Sequence, residues 1–121
     1  MVELIAGNMR ANVVALAAHG KVTHSDYERV VIPTVKEKIR LHDKIRFFFH
    51  LGEDFAGYSA EAIWDDAKIG LQHVMAFEKI AVVTNVVWVK EAVRIFGVFV
   101  PCPVKVFANE DISNAAAWVN K

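Results

Sequence analysis

The side chains able to do chemistry are few and scattered. The chain carries five histidines, one cysteine and an adjacent pair of acids, Asp65 and Asp66. His19, His24 and His50 fall near the ends of apolar runs, with Glu53 and Asp54 close in sequence. That grouping raises the question of a metal, and zinc needs three or four convergent ligands at tight geometry. No HExxH, paired histidine spacing or CxxC supplies them, so no metal is expected. His42 and His73 read as ordinary residues of helix ends and surfaces. Neighbouring acids on a helix point about 100° apart and cannot act together on one atom. Asp65 and Asp66 therefore read as solvated groups, or as one hydrogen bond that fixes a loop. Cys102 sits between Pro101 and Pro103 after a helix end, which does nothing to favour a thiolate. GxSxG, P-loop and GxGxxG patterns are absent. Enzymatic chemistry is the weakest reading, and neither catalytic residues nor a cofactor are expected.

Binding is the stronger reading. Ligands of open α/β sheets lie beyond the carboxyl ends of the strands. In this chain those ends fall at residues 19–20, 50–52, 84–85 and 108–109. Phe55, Tyr58 and Trp64 follow one end; Trp88, Phe96 and Phe99 belong to a helix that starts at another. A ligand pocket is mostly apolar with a few polar anchors. These six aromatics can line one, with His50, Asp54 or Asn85 orienting a polar head. Taken singly, each aromatic is better explained by the domain core; taken as a set, they are better explained by a pocket.

The elements that position these residues alternate. Residues 2–6 and 12–18 read as two strands joined by a turn at 8–12, hence an antiparallel hairpin. Thr23 and Ser25 are candidate N-caps for a helix to Leu41, with Pro33 expected to kink or divide it. Residues 44–51, with three successive phenylalanines, read as a strand buried on both faces, and 52–58 as a loop. Ser59 caps the next helix, which runs to about Phe77 with Ile63, Ala67, Gly70, Leu71, Val74 and Phe77 as its buried stripe. A strand at 79–84, a helix at 85–100, a strand at 104–108 and a last helix through Trp118 complete the order β-β-α-β-α-β-α-β-α. That alternation implies a mainly parallel sheet in one domain.

The helix at 85–100 is unusually greasy. Lys90, Glu91, Arg94 and Gly97 collect on one narrow side, and Val87 and Val98 fall among them. A surface helix needs an apolar stripe only a little over about 100° wide. The surplus is expected to cover a ligand, meet a second subunit or touch a membrane, with Gly97 and the Pro101–Pro103 pair as its hinge.

The totals narrow the classes. The chain has 121 residues, 55% apolar and 23% charged, with formal net charge zero. A neutral chain lacks the electrostatic footprint of a nucleic-acid binder and the polybasic cluster that holds proteins on anionic lipid. It also does little to oppose self-association, so a homodimer is expected. A single cysteine suits a reducing cytoplasm. Neither a signal peptide nor an uncharged apolar run long enough to span a bilayer is read, so a cytoplasmic protein, at most peripheral to the inner membrane, is expected.

The stretch WDDAKIGLQHVMAFEKIAVVTNVVWV, residues 64–89, resembles the signature of the small bacterial SpoIIAA-like proteins of the STAS and Sec14 (CRAL-TRIO) group. The resemblance runs in element order along nearly the whole chain. It implies a right-handed β-α superhelix: a five-stranded, mostly parallel sheet with an antiparallel first strand and about four helices. It also implies kinship with two classes. Anti-sigma-factor antagonists bind a protein partner and are switched by serine phosphorylation at the helix start after the third strand. The local motif of that class is absent here, and Ser59 is the one serine near the position. Sec14-type domains hold lipids or other apolar ligands under a mobile helix. The leading expectation is a non-enzymatic module for an apolar or amphipathic, lipid-like ligand, with the helix at 85–100 as lid and membrane contact. The alternative is a protein-interaction switch of the antagonist type acting through Ser59 or the sheet edge.

Overall fold

The computed structural model describes residues 1–7 and 9–121. The predicted turn at 8–12 includes Asn8, which lies outside the described residues. The strands are β1 (Val2–Leu4), β2 (Val13–Val22), β3 (Ile45–Tyr58), β4 (Phe77–Thr84) and β5 (Val104–Phe107). They form one five-stranded sheet in the order β1-β2-β3-β4-β5, with β1 antiparallel to β2 and every other pair parallel. The helices are α1 (His24–Asp26), α2 (Ile32–Leu41), α3 (Ala60–Gln72), α4 (Val87–Val98) and α5 (Ile112–Asn120). A π-helical turn, Tyr27–Val31, joins α1 to α2, so these run on as one arm and the chain has four helical segments among the described residues.

The period of two along each strand divides the core. Val14, Leu16, Phe49, Leu51 and Val82 face the arm, α3 and α4. Val13, Ala15, Phe48, Ala81 and Val83 face the other way, against Ala115 and Val119 of α5. Both faces of the central strands are therefore buried, which is why the phenylalanine run of β3 carries no polar alternation.

Two expectations about element ends are corrected. Residues 52–58, read as a loop, are the second half of a 14-residue strand. Their glycines and acids have loop character, but β2 also runs on to Val22 and pairs them: Gly20 lies opposite Phe55, and Val22 opposite Tyr58. The pairing survives because Gly20 takes φ +59° where the register shifts, a conformation open to glycine. Second, α3 stops at Gln72, and Phe77 opens β4 instead of closing the helix.

The arm begins with a reciprocal cap. The Thr23 N–H donates to Asp26 Oδ2 at 2.8 Å, and the Asp26 N–H donates to Thr23 Oγ1 at 3.4 Å, an arrangement worth about 1 kcal/mol. Next to the cap, the Ile32 N–H reaches back five residues to the Tyr27 carbonyl. This widened turn lies just before Pro33, which has no N–H to give, and it divides the arm as the proline predicts. The cap and the widened turn together fix Tyr27, which is 0% exposed.

Candidate functional site: an apolar cleft with one carboxylate

The phase of α3 differs from the predicted stripe. Ala62, Asp65, Ile69 and Gly70 are buried, whereas Ile63 and Leu71 are exposed. Two acids cause the rotation. His24 Nδ1 donates to Asp65 Oδ2 at 2.5 Å, and the Tyr27 hydroxyl donates to Asp66 Oδ1 at 2.6 Å. Both partners lie on the arm, so α3 turns its acids toward its neighbour helix: Asp65 is buried, and Asp66 is exposed but hydrogen-bonded. His24 Nε2 also meets Glu28, and two acceptors on one ring require both nitrogens protonated. The Asp65 hydrogen bond accordingly raises His24 above its usual pKa.

Between α3 and α4 the structure leaves a cleft of about 250 Å³ over the sheet. Its floor is Phe47, Phe49 and Phe77 with Ile80 and Val82. The rings stack edge to face, Phe47 lying 5.7 Å from Phe49 and 6.1 Å from Phe77 between centroids. Ile63, Ala67 and Gly70 form one wall; Trp88, Ala92, Val93 and Phe96 form the other. A Cβ on Gly70 would stand 3.0 Å from the Phe96 ring, so the glycine sets how closely the two helices meet. At the end nearest the strand termini stand Tyr58 and Asp66.

Among the described residues Asp66 is the one charged residue lining this cleft. Neighbouring groups crowd its carboxyl, yet by accessible surface the residue is exposed. Desolvation holds its carboxyl above the usual carboxylate range, partly opposed by the Tyr27 hydrogen bond. Burial and then the neighbouring Asp66 push both phenols, Tyr27 and Tyr58, far above their ordinary values. The Tyr27 hydroxyl thus ties Asp66 to the arm beside the apolar walls of the cleft.

Three of the predicted site residues, Tyr58, Trp88 and Phe96, line the cleft. Phe55 packs behind them, 5.4 Å from Tyr58 and 6.3 Å from Trp88, with Tyr58 and Trp88 6.1 Å apart. The other five are elsewhere. Trp64 and Phe99 are 65% and 77% exposed and do not line the cleft. His50 follows Phe48 on the α5 face of the sheet, because alternate residues of β3 point to opposite sides. Asp54 accepts from His19 Nδ1 at 2.7 Å, while His19 Nε2 donates to Glu3 at 2.8 Å. Asn85 ties the end of β4 to the turn before α5, donating to Glu110 at 2.8 Å and accepting the Asn109 N–H at 3.0 Å. Ser59 caps α3 by accepting the Ala62 N–H at 3.1 Å. The cleft therefore lies under the helices and reaches the strand ends only at Tyr58 and Trp88. Of the three histidines grouped in the sequence, His24 lies apart on the arm. Among the described residues no cluster of three or more His, Cys, Asp or Glu is arranged to hold a metal ion.

Sequence reasoning missed Asp66 and Tyr27. A signal existed: Asp66 lies three residues after Ile63 and four before Gly70, inside the helix-spaced apolar series, where a solvated acid has no place. Tyr27 begins the buried series of the arm in the same way.

α4 turns one stripe inward, with Val89 buried and Val93 and Phe96 half-buried, and Val100 just past its end is buried; a Cβ added at Gly97 would stand 3.4 Å from the Val104 Cβ, so the glycine lets the helix settle close to β5. Val87, Ile95, Val98 and Phe99 are 65–80% exposed. Among the described residues no helix is long and apolar enough to cross a membrane.

No curated protein matches the sequence. One solved structure, an uncharacterised protein of the DUF3478 family with a SpoIIAA-like fold from Shewanella loihica PV-4, is similar at a TM-score of 0.76 and 27% identity. The match covers 98% of this chain and 92% of that one. The SpoIIAA-like family model matches residues 13–120, which takes in β2 through α5 and both walls of the cleft. On the sheet order, the crossovers and that match, the chain belongs to the SpoIIAA-like family.

Proposed function

We propose that this domain is a non-enzymatic binding module that takes a small apolar or amphipathic molecule between α3 and α4. The cleft carries the reading. Protein interiors pack as densely as organic crystals, with few voids larger than a water molecule. An open, aromatic-floored space of about 250 Å³ between the sheet and the helices on one face departs from that rule. For scale, an engineered cavity of about 150 Å³ lined by aliphatic and aromatic groups binds benzene. In proportion, this cleft suits a ligand of about ten non-hydrogen atoms. A long-chain lipid would have to leave most of its tail outside, past Trp88 or Ile63. The test is direct. Octan-1-ol titrated into the purified protein is expected to raise Tm and to change the fluorescence of Trp88, the second change vanishing in Trp88→Phe. A protein whose Tm and fluorescence ignore octan-1-ol up to its solubility overturns the proposal.

The exposed face of α4 supports a second role, as a contact surface for another copy or a bilayer, since Val98 and Phe99 are 80% and 77% exposed next to each other. The switch reading rests on Ser59, half-buried at the start of α3 with its oxygen engaged as a cap. A phosphate there would sit at the favourable end of the helix dipole, and it would also break the cap.

A further inference from the structure

The geometry points to a small amphipathic amine, an ammonium group on an apolar body of about ten heavy atoms, as the occupant of the cleft, with Asp66 as its counter-ion. The inference rests on the binding role proposed above and specifies the ligand's head. Its ground is charge complementarity. Among the described residues Asp66 is the one charged side chain lining the cleft. The groups facing it from the packed elements are Tyr27 of the π-helical turn and Tyr58 of β3. β4 contributes Phe77, Ile80 and Val82, and α4 contributes no ionisable side chain. Among the described residues no lysine, arginine or histidine lines the cleft, so an anionic head, a carboxylate or a phosphate, would meet a carboxyl group with no cation to offset it. An ammonium supplies the missing partner.

The surroundings suit a cation in two further ways. The Tyr27 hydroxyl already donates to Asp66 Oδ1, which stabilises the ionised carboxylate and leaves Oδ2 for the ligand. Tyr58 and Trp88 present aromatic rings beside the same end of the cleft, and a ring face attracts a cation within about 6 Å. Desolvation keeps the carboxyl of the empty cleft protonated over a wider pH range than a surface acid. Where that carboxyl is protonated, entry of an ammonium expels the proton to solvent: the O–H bond of Asp66 breaks, an N–H···O⁻ hydrogen bond forms, and the net charge inside the cleft stays zero.

Three probes of equal chain length separate the head's contribution from the tail's: octylamine, octan-1-ol and octanoate, titrated by calorimetry at pH 6 in two buffers of different ionisation enthalpy. Octylamine is expected to bind at least about tenfold more tightly than octan-1-ol, and octanoate most weakly. Asp66→Asn keeps the shape of the side chain and is expected to weaken octylamine at least about tenfold while leaving octan-1-ol within about threefold. Tyr27→Phe gives a second variant should Asp66→Asn fold poorly, and is expected to weaken octylamine more than octan-1-ol. Octan-1-ol or octanoate binding as tightly as octylamine overturns the amine proposal and leaves the binding module standing. Failure of all three probes sinks both.

Discussion

Ala67 lines the cleft from α3, and Ala67→Leu asks whether the space above it is real. The substitution adds three carbons, a small part of the about 250 Å³ available. Burying each methylene-sized group stabilises by about 0.8 kcal/mol, so the gain is at most about 2.4 kcal/mol. Fixing the leucine rotamer costs about 0.5–1 kcal/mol. Leucine and alanine differ little in helix propensity, so the backbone of α3 adds no large penalty. The net expectation is a variant about 1.5 kcal/mol more stable than the parent, read as a higher urea midpoint with an unchanged slope. The same variant is expected to lose the octan-1-ol shift in Tm, because the ligand's space is filled. Stability and binding thus move in opposite directions, which a merely tolerated surface change would not produce. If α3 and α4 instead close on each other in solution, the three carbons overpack the seam, and the variant loses about 1–3 kcal/mol. That loss, or a variant that still takes octan-1-ol with parental affinity, would refute the cleft.

Two further outcomes follow from neighbouring features. His24 is raised above 6.5 chiefly by its hydrogen bond to Asp65; stability from such a cation is fully present below that value and lost as pH rises through the raised one. Tm is therefore expected to fall as pH climbs above about 6.5, and His24→Gln to flatten part of the decline, with His19, raised by Asp54 and Glu3, keeping the rest; parallel curves for parent and variant would rule out His24 as a source. On the outer face of α4, Phe99→Glu puts a charge at a 77% exposed position beside Val98. Sedimentation is expected to show a concentration-dependent dimer for the parent and a monomer for the variant, and a parent that stays monomeric across the range removes that face from consideration as a subunit seam.

Much of the scaffold was legible because it depends on local pattern. The alternation of valine-rich runs with helix-spaced segments requires parallel strands and crossovers, so the five-stranded sheet with its antiparallel first strand could be read before any coordinates. Ser59 and Thr23 marked their helix starts because a cap needs only a short oxygen-bearing side chain at the right step. Pro33 marked the division of the arm for an equally local reason, the missing N–H. The apolar excess of α4 was visible as composition, and its outer half is exposed.

The cleft was less legible, because its members come from distant parts of the chain. Tyr58, Trp88 and Phe96 were picked out as apolar residues near strand ends, and the fold brings them together. His50 was placed with them by the same rule and lies on the opposite face of β3, since a position one residue along a strand reverses its side. Residues 52–58 have the composition of a loop, and only pairing with β2 past Gly20 makes them a strand that carries Phe55 and Tyr58 to Trp88. The sharpest case is α3. Its hydrophobic pattern permits two phases, and acids are assigned outward by default. Here His24 and Tyr27 on the arm give Asp65 and Asp66 partners, and that pairing turns the helix. Local sequence thus determined which elements form and where the chain breaks between them. Tertiary contact decided which way α3 faces, and with it that a carboxyl group stands inside the cleft, because the energy of burying a charge depends on partners that no neighbouring residue reveals.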